Sequence, residues 1–236
     1  MYGIPILNGN DGFPDPRKAH IPDQPGLVAL GGDLSPERLL TAYTKGIFPW
    51  SANPVSWWSP DPRAIIDCHQ VHISRSLMKS LRSGRFVISR NQAFGEVIQA
   101  CAEAVPNRPD TWIGQEFVEA YTTLHHLGHA HSVECWIDNQ LAGGIYGIAI
   151  GGLFAGESMF FRQRDASKVA LYALTTHLKE QAFELFDIQM LTEVTTAFGA
   201  YEIPRVDYLD RLPLVVKKNC LFRTQSPQLL PRPDPQ

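Results

Sequence analysis

The chain has 236 residues, 44% of them apolar, enough to bury a core in one large domain or two small ones, which excludes a chain disordered throughout. Its 21 Lys and Arg against 24 Asp and Glu give a formal net charge of -3, so a surface adapted throughout to polyanions is excluded and any nucleic-acid contact must be local. Cys68, Cys101, Cys135 and Cys220 form no C-x-x-C pair, and neither a leader-like apolar segment nor a membrane-spanning run occurs, so a reduced, soluble, cytoplasmic protein is expected.

Residues 1–25 are rich in Pro, Gly, Asn and Asp and predict an irregular lead-in. A first helix is expected from Ser35, an N-cap followed by Pro36 at the first helical position, to a left-handed stop at Gly46. Pro49, Pro54, Pro60 and Pro62 then predict an extended, stiff segment that presents its aromatic side chains. A strand near Arg63 to Cys68, a helix from Ser74 to about Ser83, a strand near Phe86 to Ser89 and helices at about 92–104 and 115–127 follow. Ala130 to Ile137 and Leu141 to Ile150 are β-rich and joined through Asp138-Asn139-Gln140, as in a hairpin. A strand at Leu153 to Phe160, a helix from Asp165 to about Ala182 and a strand at Leu185 to Met190 complete the pattern. Helices beside an antiparallel, mixed sheet predict an α+β or mixed α/β fold. The tail PRPDPQ is expected to be disordered.

Several groups of residues carry chemistry. No acidic residue lies between Asp67 and Glu96, whereas Arg75, Lys79 and Arg82 share one face of the second helix, opposite Ile73, Leu77 and Leu81. That face suits anions, although a solvated charged face or a membrane-surface helix has the same pattern. Trp50, Trp57, Trp58 and Trp112 offer surfaces for an unpaired base, where stacking contributes about 1–3 kcal/mol, or else core packing. Between Leu141 and Phe160, Gly143, Gly144, Gly147, Gly151, Gly152 and Gly156 alternate with apolar side chains, either a slot that admits a ligand or a buried hairpin. Glu157 stands inside this apolar stretch and needs a partner, a structural Arg or a cationic substrate. Asp187 and Gln189 alternate on the last strand, so both are expected on one face. His125, His126, His129 and His131 resemble a metal cluster, but Gly128 interrupts their spacing and no Cys or carboxylate completes it, so no metal or other cofactor is expected.

Three ordered segments, GLVALGGDLSPERLLTAYTKGIFPWSANPVSWWSPDPR at residues 26–63, Gly156-Glu157-Ser158-Met159-Phe160 with Asp165-Ala166-Ser167-Lys168, and Asp187-Ile188-Gln189, resemble the leucyl/phenylalanyl-tRNA-protein transferase family. The resemblance implies transfer of Leu, Phe or Met from aminoacyl-tRNA to the N-terminus of proteins beginning with Arg or Lys, marking them for degradation. It also implies a small N-terminal domain, residues 1–65, and a C-terminal domain, residues 66–236, like the GCN5-related N-acetyltransferases. Carried onto this chain, it assigns Trp50 and Trp112 to the 3' adenosine, and Ile145, Phe154, Met159, Leu171 and Leu174 to the aminoacyl pocket. It further assigns Glu157 to the acceptor's cation, Asp187 and Gln189 to the amine and its proton, and Arg75, Lys79 and Arg82 to tRNA; neither DNA nor a membrane is an expected partner.

The segment after Gln189 departs from that family, with Thr192, Val194 and Ala197 where Asn, His and Ser are common, and Phe161 replaces a frequent Ser. Two rival readings remain. An acyl-CoA N-acyltransferase would carry a (Q/R)-x-x-G-x-(G/A) loop, to which Gln140-Leu-Ala-Gly143-Gly144-Ile145 conforms except at its last position. A non-catalytic tRNA-binding or degradation adaptor would keep the basic face and lose turnover.

Overall fold

The computed structural model describes residues 3–9, 11–19, 21, 23–104 and 111–230, and the expected disordered tail lies outside them. Two sheets organise the described residues. The first joins β1 (Ile6–Leu7), β2 (Leu27–Gly31), β3 (Phe48–Ala52) and β4 (Val55–Trp58) in the order β1-β2-β4-β3, with α1 (Pro36–Thr44) between β2 and β3 in sequence. Here the structure departs from expectation. The lead-in contributes a strand parallel to β2, and the proline-rich run folds back as the antiparallel pair β3 and β4. Prolines fix φ without forbidding edge strands or turns, so two short strands satisfy them as well as one extended segment does.

The second sheet is built from β5 (Arg63–Ile66), β6 (Val87–Arg90), β7 (Ala130–Ile137), β8 (Gln140–Ile150), β9 (Leu153–Phe161), β10 (Leu185–Gln189), β11 (Tyr201–Ile203) and β12 (Gln225–Leu229). Their spatial order is β11-β5-β10-β9-β8-β7-β6-β12, with β9 and β10 parallel and the other neighbours antiparallel. Residue 65, where a domain boundary is expected, lies inside β5 of this sheet. The helices are α2 (Arg75–Leu81), α3 (Phe94–Ala102), α4 (Gln115–His126), α5 (Ala166–Glu180), α6 (Glu193–Ala197) and α7 (Arg205–Val215). A mixed sheet flanked by helices makes this a mixed α/β fold.

Local chemistry explains the boundaries. Gly46 ends α1 with φ of 74°, and Ser74 caps α2 by accepting from the Leu77 N–H at 3.2 Å. Asp138 and Asn139 both take positive φ, the left-handed pair that a tight turn between β7 and β8 requires. Among the described residues, three apolar clusters fill the interior. One joins the first sheet to α3 and α4 through Val28, Leu39, Trp57, Val97 and Phe117; a second packs α5 on the large sheet; a third seats Tyr208, Leu209 and Leu212 of α7 against β5 and β10. No helix among the described residues is long and apolar enough to cross a membrane.

Candidate functional site

β9 and β10 lie side by side, and each carries a β-bulge, at Glu157 on β9 and at Ile188, between two polar residues, on β10. Along β9, Gly156 and Ser158 pair with successive residues of β8 and leave Glu157 over. Along β10, Asp187 and Gln189 pair with successive residues of β5 and leave Ile188 over, while Gln189 adopts φ of 66°. A bulge re-aims side chains that strict alternation would send elsewhere. Asp187 and Gln189, expected to present together on one face, therefore bond different partners.

Asp187 is locked. Its Oδ1 accepts from Arg63 Nε at 2.8 Å and from the Gln189 backbone N–H at 2.9 Å; its Oδ2 accepts from Arg63 Nη2 at 2.7 Å and from the Tyr208 hydroxyl at 2.9 Å. Both charged side chains are 1% exposed. Gln189 instead donates its side-chain amide to Glu157 Oε1 at 3.0 Å. When Glu157 is ionised it only accepts, and this orientation then leaves the Gln189 amide carbonyl with acceptor capacity to spare.

Glu157 has neutral partners where a structural Arg was one expectation. Its Oε2 accepts from the Tyr121 hydroxyl at 3.1 Å, and the Tyr121 and Tyr43 hydroxyl oxygens are 2.5 Å apart. Burial pushes the Glu157 carboxyl up to about 7; the two tyrosines act in the opposite direction, as does Arg63, while Asp187 reinforces the rise. Burial first, then neighbouring negative groups, hold Tyr43, Tyr121 and Tyr208 well above the usual phenol value. For Arg63, burial opposes the charge, but Asp187, Tyr208 and Glu157 together more than offset it and the guanidinium is more basic than usual. Tyr43 and Tyr121 belong to the first apolar cluster, Phe186 to the second and Tyr208 to the third, so the polar network sits where the three meet.

The remaining expected residues surround this network at different depths. Trp50 is half-buried, edge-on to Trp58 at 5.4 Å and 6.1 Å from Phe48, whose ring lies 5.0 Å from the Arg63 guanidinium. Trp112, also half-buried, meets Phe117 at 5.1 Å, and Phe117 stacks on Tyr121. Trp57 is fully buried and donates to the Gly31 carbonyl. Ile145, Phe154, Leu171 and Leu174 are buried and Met159 is half-buried, all in the cluster between α5 and the sheet, with Ile145 directly opposite Met159. The glycines of β8 admit protein rather than open space: a Cβ on Gly143 would stand 2.7 Å from that of Ala166, and one on Gly147 would stand 2.2 Å from the Ala155 carbonyl oxygen. Arg75, Lys79 and Arg82 are exposed beside buried Leu77 and Leu81, and among the described residues none of the three cations forms an ion pair.

His125 stacks on Phe94 and faces the Ala130 carbonyl, while His131 is buried against Phe222; among the described residues no three His, Cys, Asp or Glu side chains gather as metal ligands. Thr192 and Thr195 form the capping box of α6, and Phe161 is 65% exposed. Sequence reasoning did not single out Arg63, Tyr43, Tyr121 or Tyr208. One signal for Arg63 exists, because an arginine opening the apolar run Arg63-Ala64-Ile65-Ile66 needs a buried carboxylate.

The model of the leucyl/phenylalanyl-tRNA protein transferase family matches residues 65–213, and that of its N-terminal domain matches residues 32–61. Similar proteins include the leucyl/phenylalanyl-tRNA-protein transferase of Tolumonas auensis, 47% identical over 92% of this chain and 94% of that protein. That of Anaeromyxobacter dehalogenans is 52% identical over 85% of this chain and 86% of its own length. Among solved structures, L-PGS from Bacillus licheniformis covers 70% of this chain and 55% of its own at 14% identity and a TM-score of 0.42. A GCN5-related N-acetyltransferase from Kribbella flavida covers 71% and 60% at 10% identity and a TM-score of 0.39.

Proposed function

The chain belongs to the leucyl/phenylalanyl-tRNA protein transferase family, and from that premise we propose that it moves Leu, Phe or Met from aminoacyl-tRNA to the α-amino group of proteins beginning with Arg or Lys, marking them for degradation in the cytoplasm. The observation that carries this reading is the buried Glu157 carboxylate, held by the Tyr121 hydroxyl and the Gln189 amide and, among the described residues, directly bonded to no cation. A carboxylate with only neutral donors has charge left for a guanidinium or ammonium, which supports selection of Arg and Lys.

The chemistry asks little of the protein beyond placement. A free α-amino group has a pKa of about 7.7–8.0, so exposing its lone pair at neutral pH costs only about 1–1.4 kcal/mol. The amine nitrogen attacks the ester carbonyl of the aminoacyl-tRNA, the carbon–oxygen bond to the ribose breaks, and the proton lost by the amine ends on the released tRNA hydroxyl. The ester is already activated, and orientation alone can supply several kcal/mol. In this scheme the Gln189 carbonyl accepts from the incoming amine, Trp50 and Trp112 stack on the terminal adenosine, and Ile145, Phe154, Met159, Leu171 and Leu174 surround the donor side chain. Arg75, Lys79 and Arg82 meet phosphates farther along the tRNA.

The test offers purified protein radiolabelled leucyl-tRNA and peptides beginning with Arg, Lys or Ala. Label on the Arg and Lys peptides, and none on the Ala peptide, is the expected result. Label on none of them, with acyl transfer from acyl-CoA instead, would replace the proposal with the N-acyltransferase reading.

A further inference from the structure

Building on the transferase reading, we propose that Arg63 and Tyr208 are positioning residues for the transfer step, setting Asp187 to act through the backbone of Gln189 and tying the acceptor-side strand to the strand that carries Trp50. A carboxylate has about four lone-pair positions. On Asp187, three are filled by Arg63 Nε, Arg63 Nη2 and the Tyr208 hydroxyl, and the fourth by the Gln189 N–H. With the side chain 1% exposed, no acceptor amine reaches it. The N–H it holds belongs to a residue with a Cβ at φ of 66°, a backbone conformation that persists only where its surroundings over-determine it. Asp187 supplies that determination, and the Gln189 amide then meets Glu157 at 3.0 Å.

Arg63 extends the arrangement to the other substrate. Its Nη1 donates to the Gly46 carbonyl at 3.1 Å, and its guanidinium lies 5.0 Å from the centre of the Phe48 ring and 4.6 Å from that of Tyr208. Phe48 in turn contacts Trp50. Only glycine fits at position 46, since a Cβ there would approach the Tyr208 ring to 2.9 Å and Leu209 to 2.5 Å. One planar cation therefore bonds the turn after α1, touches α7 and grips β10, and it fixes the distance between the adenosine side and the amine side without touching either substrate. A flexible ammonium cannot reproduce the fork.

Tyr208→Phe and Arg63→Lys test this at a temperature well below the Tm of each variant. Transfer from leucyl-tRNA to an Arg-initiated peptide should fall in kcat by roughly tenfold for Y208F and roughly a hundredfold for R63K, as expected for loss of a charged hydrogen bond and for a small misplacement. Affinity for leucyl-tRNA should stay within about twofold, because both substrate-touching faces remain. Backbone amide exchange at Gln189, read by NMR without any substrate, should accelerate about tenfold or more in both. Unchanged kcat in both variants, or a lower kcat with Gln189 as protected as in the parent, would overturn the proposal. If R63K does not fold, Y208F decides alone. If the parent protein transfers nothing, the transferase reading fails separately, and amide exchange still decides whether the clamp exists.

Discussion

Glu157 gains negative charge only as the pH passes about 7, so its environment should be visible in pH profiles. Its pKa rises on folding, so the folded protein binds the extra proton between about 4.5 and about 7; this group favours folding at low pH and loses that contribution as pH rises through the window. The groups facing it are Tyr43, Tyr121, Asp187 and Arg63, and Asp187 and Arg63 act on it in opposite directions. For transfer, kcat/KM for an Arg-initiated peptide should climb with pH through about 7, below the separate limb that the acceptor's own α-amino group sets at about 7.7–8.0, while Glu157→Gln should keep only that upper limb, at a lower plateau. An identical limb in the variant would assign it to another group. Asp187→Ala should behave differently: removing it leaves Arg63 buried without its anion, a loss of about 3–5 kcal/mol by urea unfolding, so reduced transfer in that variant reflects folding as well as chemistry. A destabilisation below about 1 kcal/mol would mean that water reaches Arg63. Asp187, Gln189 and Glu157 were legible as motif residues. Their partners were not, because Arg63 and Asp187 stand 124 residues apart and a bulge leaves no periodic trace.

At the level of elements, α2 is the clearest case in which pattern and structure coincide. Its exposed Arg75, Lys79 and Arg82 make no ion pairs among the described residues, so reversing all three charges should leave the Tm nearly unchanged. If the face binds tRNA, each lost phosphate contact should flatten the dependence of log K on log salt by roughly 0.7–1, equally for every donor. An unchanged slope would make it a solvated face. Helices with strong apolar spacing and the hairpin with Asp138-Asn139 were readable because local chemistry alone specifies them. β1, the β3–β4 pair, α7 and β12 were not: each is short, proline-bearing or polar, and each is held by tertiary contacts. In α7, Pro213 lies inside the helix, yet Tyr208, Leu209, Leu212 and Val215 bury enough apolar surface to sustain it. Thr192, read as a departure near the site, caps α6.

Across the molecule, residues after α7 return to the sheet and bring Phe222 against His131, Phe154 and His177, while His177 Nε2 accepts the Arg223 N–H at 3.2 Å. Burial, reinforced by neighbouring positive groups, lowers His131 to about 4 and His177 to about 3. Both pKa values fall on folding, so the unfolded chain binds more protons: this stabilisation is complete above about 6.5 and is lost as pH drops toward 4 and then 3. Urea unfolding from pH 7 to 4 should show declining stability, less steep in a His131→Asn, His177→Asn double variant and steeper in Glu157→Gln, whose carboxyl opposes the trend. The same slope in all three would place the acid sensitivity elsewhere. The sheet order has a further consequence, in time rather than space. β5 is flanked by β10 and β11, so Arg63, Ile65 and Ile66 leave the ribosome long before the strands that cover them exist. At about 5–20 residues per second, the 124 residues separating Arg63 from Asp187 take roughly 6–25 s to synthesise. Through that interval the nascent chain carries an unpaired apolar strand that other proteins can capture, and both halves of the site become joined only as translation nears its end.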